Sequence, residues 1–131
     1  MNPLDYALSK HPIIVSLMDL KDLDRALSSL SQIVILMHAD ICSLEETANR
    51  IKEKDKLVFV HIDLMKGIQR DASGIQYLAE KMKIDGIVTT HSNLIPIARR
   101  LDLLTIQRVF ILDSESIEKG FKSIKESKPD A

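Results

Sequence analysis

The chain has 131 residues, of which 45% are hydrophobic and 28% charged, the balance of an ordinary globular protein. This length predicts one domain, and the net charge of −1 excludes a protein that is basic throughout. The single cysteine, Cys42, excludes an intrachain disulfide and a cysteine-cluster metal site. The opening MNPLDYALSKHP lacks the regions of a signal peptide, and no apolar run reaches the length of a membrane span, so we expect a cytoplasmic protein.

Short apolar runs rich in β-branched residues recur along the chain and predict five strands. In chain order the runs are IIVSLM at 13–18, IVILM at 33–37, LVFVHI at 57–62, GIVTT at 86–90 and QRVFIL at 107–112. Most residues of each run are apolar. Such continuous apolar strands are typical of a sheet that is buried on both faces.

Apolar residues at helical spacing fill the gaps between these runs and predict helices. One helix over 43–54 begins where Ser43 and Glu46 match a capping box. A second helix over 71–82 has Asp71 as its candidate N-cap. Two further helices are predicted over 93–101 and 114–125. Strands that alternate with helices indicate βα units and a parallel α/β sheet.

Polar residues stand where the predicted strands end. They are His38 and Asp40 after the second strand, His61 and Asp63 at the end of the third, TTHSN at the end of the fourth, and Asp113 and Ser114 after the fifth. In parallel βα folds, ligands bind at the carboxyl ends of the strands, where helix N-termini also gather. This edge of the sheet, which we call the rim, is therefore the predicted site.

Several of these residues also have a purely structural interpretation. Asp71, Ser92 and Ser114 each precede a predicted helix and would serve as N-caps. His61 is either a hydrogen-bonded rim residue or a metal ligand. In the second case the two His-x-Asp segments would supply four convergent ligands if their strands were neighbours.

Arg108 interrupts an otherwise apolar run, where an unpaired charge would be costly. It is therefore predicted either to form an internal ion pair, with Asp63 or Asp113, or to bind an anion. The sequence contains no Gly-rich phosphate loop, nucleophile elbow or zinc-binding helix motif, so catalysis has little local support.

Four segments resemble, in order, the glycerol uptake operon antiterminator regulatory proteins: PIIVSLMDLKDLDRAL, VHIDLMKGIQRD, DGIVTTHSNLIPIARRLDLLTIQRVFILDS and the closing KPD. The resemblance runs from about Pro12 to Asp130. It implies a partial TIM-type (β/α) barrel and a regulator without enzymatic activity. Such a regulator acts on the leader messenger RNA of glycerol genes, so that transcription passes a terminator. Glycerol 3-phosphate would be its effector, with no further cofactor and no metal.

The same resemblance implies a ligand site at the rim. The residues that it carries over by position are Asp40, His61, Asp63, Ser92, Asn93, Gln107, Arg108, Asp113 and Ser114. None of them is given a catalytic role. The opposing interpretation of the rim is an enzyme, in which His61 would be the acid–base group and Arg108 would hold a small phosphorylated substrate.

The chain departs from the family pattern at two positions and in length. His91 stands where the family usually has Lys or Arg, and Met18 where a basic residue is common. Relatives continue with further strands, whereas five βα units fall short of the eight that close a barrel. We therefore expect residues 1–131 to form one incomplete barrel domain. Its first and fifth strands would have open edges, and the chain would either pair with a second copy or be poorly soluble as an isolated chain.

Strand order separates the remaining fold alternatives. A partial barrel predicts the sequential order 1-2-3-4-5, and a doubly wound sheet predicts 2-1-3-4-5. A phosphoacceptor receiver domain would need adjacent acidic residues after the first strand and a lysine at the end of the fifth. The chain has SLMD and Arg108 in these places, so that class is set aside.

Overall fold

A five-stranded parallel sheet forms the centre of the protein in the computed structural model, which describes residues 2–131. The strands are β1 Val15–Leu17, β2 Ile33–Leu36, β3 Leu57–His61, β4 Gly86–Thr89 and β5 Leu104–Gln107. They lie in the order β1-β2-β3-β4-β5, and every neighbouring pair is parallel. The sequential order of a partial (β/α) barrel is confirmed, and the doubly wound order is wrong.

Six α-helices surround the sheet. They are α1 Pro3–Lys10, α2 Leu23–Ser28, α3 Ile41–Glu53, α4 Ala72–Glu80, α5 Leu94–Arg100 and α6 Ser114–Ser127. Helices α2 to α6 follow strands β1 to β5 in turn, which makes five βα units. No helix among residues 2–131 has the length and apolar character needed to cross a bilayer.

The two faces of the sheet are buried by different partners. On one face, residues such as Val34, Val58 and Ile87 pack with apolar side chains of α2 to α5. On the other face, which we call the inner face, Phe59 and its strand neighbours pack against Leu4 of α1. Because side chains alternate along a strand, the residue two positions after Phe59 also belongs to the inner face. That residue is His61.

Helix α1 was not predicted from the sequence, although its signals are present. The side chain of Asn2 accepts a hydrogen bond from the backbone N–H of Asp5 at 2.8 Å, and Pro3 occupies the first helical position. Helix α1 buries Leu4 and Ala7 against the inner face. It therefore covers part of the surface that faces the axis of a barrel.

Two predicted boundaries were wrong. The fifth strand spans Leu104–Gln107 instead of 107–112, because Phe110, Ile111 and Leu112 lie outside the sheet and are 64%, 60% and 86% exposed. Helix α3 begins at Ile41, with Asp40 as its N-cap, so Ser43 lies inside the helix and forms no capping box. An apolar run alone does not distinguish a buried strand from an exposed apolar loop.

The C-terminal residues lie beside β5. The N–H of Ala131 donates to the carbonyl of Thr105 at 3.1 Å, and the N–H of Gln107 donates to the carbonyl of Ala131 at 2.9 Å. This is the hydrogen-bond pattern of a parallel ladder. The carboxylate of Asp130 accepts hydrogen bonds from the N–H of Thr105 at 2.9 Å and from the side chain of Asn2 at 3.2 Å.

Candidate functional site

The centre of the rim is a contact between His61 and Arg108. Arg108 directly follows β5 and reaches across β4, so that its Nη1 lies 2.9 Å from Nε2 of His61 at the end of β3. A guanidinium can only donate hydrogen bonds, so Nε2 of His61 is the acceptor and the ring proton resides on Nδ1. His61 is 1% exposed, and this burial lowers the pKa of its imidazole below the usual value. The contact therefore requires a neutral histidine.

Arg108 has no carboxylate partner within residues 2–131. The ion pairs found there join Arg25 to Asp22, Arg50 to Asp24, and Lys119 to Glu115. The two predicted partners of Arg108, Asp63 and Asp113, are bonded to other groups. The guanidinium carbon of Arg108 instead lies 5.2 Å from the centre of the Phe110 ring. The prediction of an internal ion pair is therefore wrong. The half-buried guanidinium of Arg108 remains available for an anion.

Asp63 fastens the end of β3 to the end of β4. Its carboxylate accepts hydrogen bonds from the Thr89 hydroxyl at 2.6 Å, the Thr90 N–H at 2.8 Å and the Thr90 hydroxyl at 2.6 Å. Burial alone would raise the pKa of Asp63, but these hydrogen bonds outweigh it and lower the pKa below the ordinary value. Asp63 is therefore an ionised residue whose hydrogen bonds hold the rim in shape.

Three aspartates at the rim cap helices. Asp40 accepts from the N–H of Cys42 at 2.9 Å, Asp71 from that of Gly74 at 2.8 Å, and Asp113 from that of Ser116 at 2.8 Å. The prediction of an N-cap is confirmed for Asp71. These bonds satisfy donors at helix starts that would otherwise be free for an anion.

The two serines that were predicted as N-caps do not have this role. Ser114 is the first residue of α6, which Asp113 caps. Ser92 precedes α5 by two positions and contributes its carbonyl, which accepts from the N–H of Ile95 at 3.2 Å. Asn93 stands at the N-cap position of α5 without a capping hydrogen bond from its side chain.

Gln107 lies on the opposite face of β5 from Arg108. Its side-chain amide donates to the Ser123 hydroxyl at 2.8 Å and accepts from the Ser127 hydroxyl, and both serines belong to α6. Since successive residues of a strand point to opposite faces, Gln107 is directed away from the His61 contact. Gln107 was predicted for the site, but its side chain instead fastens helix α6 to strand β5.

A second polar group lies at the ends of β3 and β4. Nη1 of Arg70 is 3.2 Å from Nε2 of His91, and both residues are exposed. With Asn93 and Leu94 they line an open cleft of about 180 Å³. Arg70 thus brings a positive charge beside His91.

The two His-x-Asp segments, 38–40 and 61–63, were the candidate metal ligands of the rim. Within residues 2–131, no three or more His, Cys, Asp or Glu side chains are arranged to hold a metal ion. The carboxylates of Asp40 and Asp63 accept hydrogen bonds from backbone and hydroxyl donors. A nearby cavity lined by His38, Leu36 and Leu44 encloses only about 30 Å³, enough for about one water molecule.

The sequence did not indicate the groups that complete this arrangement. The hydroxyls of Thr89 and Thr90 that bind Asp63, and the Phe110 ring beside Arg108, were not singled out. The strand TT could have suggested hydroxyl donors at the rim. No signal in the sequence predicts the ring, because Phe110 was assigned to the interior of a strand.

Five βα units around a parallel sheet in sequential order define a barrel-like α/β protein. The sequence model of one family, described as glycerol-3-phosphate responsive antiterminator, matches residues 13–131. The chain belongs to this family.

Relatives of known structure support the same assignment. A glycerol uptake operon antiterminator regulatory protein from Listeria monocytogenes superposes with a TM-score of 0.83 and 27% identity, over 92% of this chain and 66% of that one. A glycerol uptake operon antiterminator-related protein from Thermotoga maritima gives a TM-score of 0.80 and 26% identity, over 90% of this chain and 66% of that one.

A relative from Escherichia coli K12, the uncharacterized protein YgcP, is 31% identical over 98% of this chain and 67% of its own length. The chain thus spans about two thirds of the length of these relatives.

Proposed function

We propose that the protein is a regulator of glycerol-utilisation genes that promotes transcription antitermination on a leader messenger RNA in response to glycerol 3-phosphate. Family membership and the likeness to the antiterminator from Listeria monocytogenes support this role. The observation that carries the ligand is Arg108, a half-buried cation without a carboxylate partner at the carboxyl edge of the sheet. Such a cation is suited to a phosphate.

The proposed site is an open one. Arg108 would hold the phosphate by charge-assisted hydrogen bonds, and Lys66 and Arg70, both exposed on the loop after β3, would add positive charge at the same edge. Asp113 places a carboxylate at the start of α6, which makes that helix start a poor anion site. We therefore assign the phosphate to the Arg108 side of the rim.

The test is glycerol 3-phosphate affinity, measured by calorimetry with inorganic phosphate and other sugar phosphates as competitors. We expect Arg108→Ala to weaken binding by about 1.5–3 kcal/mol, roughly tenfold to 150-fold, because a charge-assisted contact is lost. Arg100→Ala is the matched control, since Arg100 is an exposed arginine on α5, and it should bind like the wild type. A wild-type protein that does not prefer glycerol 3-phosphate would refute the proposed ligand.

The regulatory part of the proposal has its own test. Transcription of a glycerol-gene leader past its terminator should increase when the protein and glycerol 3-phosphate are both present, and Arg108→Ala should need more effector. Read-through that does not respond to the effector would contradict the role. We place this activity in the cytoplasm, where nascent messenger RNA is made.

The alternative of an enzyme is not favoured by the contacts at the rim. An acid–base group must reach the substrate, whereas His61 is 1% exposed and its Nε2 accepts from Arg108. Membership of a family of regulators points in the same direction. We therefore propose that the site binds a ligand and carries out no chemistry on it.

A further inference from the structure

We infer that neutral His61 is a positioning residue, which holds the Arg108 guanidinium in place for the anion and releases it on acidification. The inference rests on the proposed function, because it concerns the same arginine and the same phosphate. It assigns to His61 an indirect role, in which the imidazole contacts Arg108 and not the ligand.

The geometry leaves His61 as the polar anchor of Arg108. Nε2 of His61 lies 2.9 Å from Nη1 of Arg108, and within residues 2–131 the guanidinium has no other hydrogen-bond partner on a side chain. The other face of the guanidinium lies near the Phe110 ring. The imidazole acceptor on one side and the Phe110 ring on the other fix the direction of the Arg108 side chain. Without them, Arg108 would lose much rotamer freedom when it binds the anion.

His61 itself is held without help from a second polar group. Within residues 2–131, its Nδ1 is buried and has no hydrogen-bond partner on another residue. An imidazole in this position keeps one N–H unsatisfied, which is a cost that a merely apolar residue would avoid. The presence of histidine here is explained if the acceptor on Nε2 is what the site requires.

Protonation of His61 would destroy the contact. An imidazolium donates from both nitrogens, so two donors and two positive charges would face each other at the Arg108 contact. The ionisable groups that act on His61 are Asp63, Arg108 and His38. Asp63 is bonded to Thr89 and Thr90 and stays in place, so it gives the imidazolium no direct hydrogen bond. Burial lowers the pKa of His61, which keeps the ring neutral at physiological pH.

Two substitutions of His61 distinguish the effect of its hydrogen-bond acceptor from the effect of its side-chain volume. His61→Leu removes the acceptor but fills similar space, and we expect affinity for glycerol 3-phosphate to fall about tenfold near neutral pH. His61→Gln keeps an acceptor at the place of Nε2 and cannot be protonated. It should therefore restore most of the affinity.

The pH profile is the second readout. Affinity is measured by calorimetry from about pH 7.5 down to about pH 4.5, a range that extends below that of an ordinary histidine because burial lowers the pKa of His61. The phosphate of the ligand also changes charge near pH 6, but it does so equally for every variant. We expect the wild type to lose more affinity than His61→Gln over this range. Equal profiles, or a wild type that binds more tightly in acid, would overturn the inference.

A direct measurement on the wild type does not depend on the variants folding. Long-range proton–nitrogen NMR correlations should show His61 with its proton on Nδ1 near neutral pH. A proton found on Nε2 would refute the contact.

If the wild type fails to bind glycerol 3-phosphate while the Nδ1 proton is observed, the proposed ligand is wrong and the His61–Arg108 pair stands. If it binds and His61→Leu binds equally well, the positioning role is wrong.

Discussion

Asp63 is a single carboxylate that joins two strand ends, and its effect on stability should depend on pH. Its folded-state pKa is lowered, so its stabilisation is complete above the unfolded value of 3.8 and is lost as the pH falls through the folded value. We expect Asp63→Asn to lower the free energy of unfolding by about 1–3 kcal/mol near neutral pH, because hydrogen bonds from Thr89 and Thr90 to a carboxylate are lost. Denaturant unfolding at a series of pH values measures the difference.

Asp71→Asn is the matched control for this change. Asp71 is an exposed N-cap of α4, and asparagine caps helices about as well as aspartate. The control should therefore leave the free energy of unfolding nearly unchanged at all pH values. If the loss caused by Asp63→Asn persisted unchanged at about pH 2, ionised Asp63 would not be its source.

At the scale of residues, the sequence predicted which side chains are at the rim but not how they combine. His61 and Arg108 were both singled out, yet they are 47 positions apart and their contact depends on the pairing of β3, β4 and β5. Two carboxylates were open to Arg108 in the sequence, but Asp113 accepts from the nearby N–H of Ser116, and Asp63 accepts from Thr90, which lies 27 positions away at the end of β4. For Asp113, a donor close by in the chain competes well with a distant partner.

Strands β3, β4 and β5 approach closely at Gly86. A Cβ on Gly86 would lie 2.3 Å from a ring carbon of Phe59 and 2.7 Å from the carbonyl oxygen of Leu104. The latter atom belongs to the backbone and cannot rotate away. We expect Gly86→Ala to cost about 1–3 kcal/mol of unfolding free energy by overpacking, with a melting temperature several degrees lower by calorimetry.

Gly120→Ala provides the comparison within the same chain. Gly120 lies inside α6, where a Cβ would meet Val109 at an ordinary 3.4 Å. Alanine favours a helix over glycine, so this variant should gain up to about 1 kcal/mol. Equal effects of the two substitutions would show that the inner face can expand at Gly86.

At the scale of elements, continuous apolar runs located four strands well. A strand that is covered on both faces consists mainly of apolar residues. The prediction of the fifth strand was wrong because that strand carries buried polar residues. The strand Leu104–Gln107 carries Thr105 and Gln107, which bind Asp130 and α6, whereas the more apolar stretch after it is exposed. Apolar character usually predicts burial, but in the fifth βα unit the polar residues Thr105 and Gln107 are buried.

An exposed apolar surface remains on the β5 side of the whole molecule. Its members are Phe110, Ile111, Leu112, Ile117 and Phe121, from the segment after β5 and from α6. Strand β1 has only β2 as a neighbour. Open edges and contiguous apolar surface favour association. We expect the protein to pair with a second copy, and sedimentation should show a mass above 14.8 kDa at high concentration.

Two charged substitutions locate the contact. Leu112→Glu should shift the protein towards the monomer, because Leu112 is 86% exposed within this surface. Leu30→Glu is the control, since Leu30 is 76% exposed but precedes β2, at the opposite end of the strands. A wild type that stays monomeric, or equal effects of both changes, would contradict association through the β5 side.

The hydrogen bonds of Ala131 with Thr105 and Gln107 have a practical consequence for anyone who handles the protein. A purification tag or fusion partner attached after Ala131 would leave along the edge of β5, in the direction of Arg108. Its first residues could continue the ladder and cover the very arginine whose affinity is to be measured. Because Asn2 touches Asp130, a tag at the other terminus would also begin close to this edge. Binding experiments therefore call for tags that are removed before measurement.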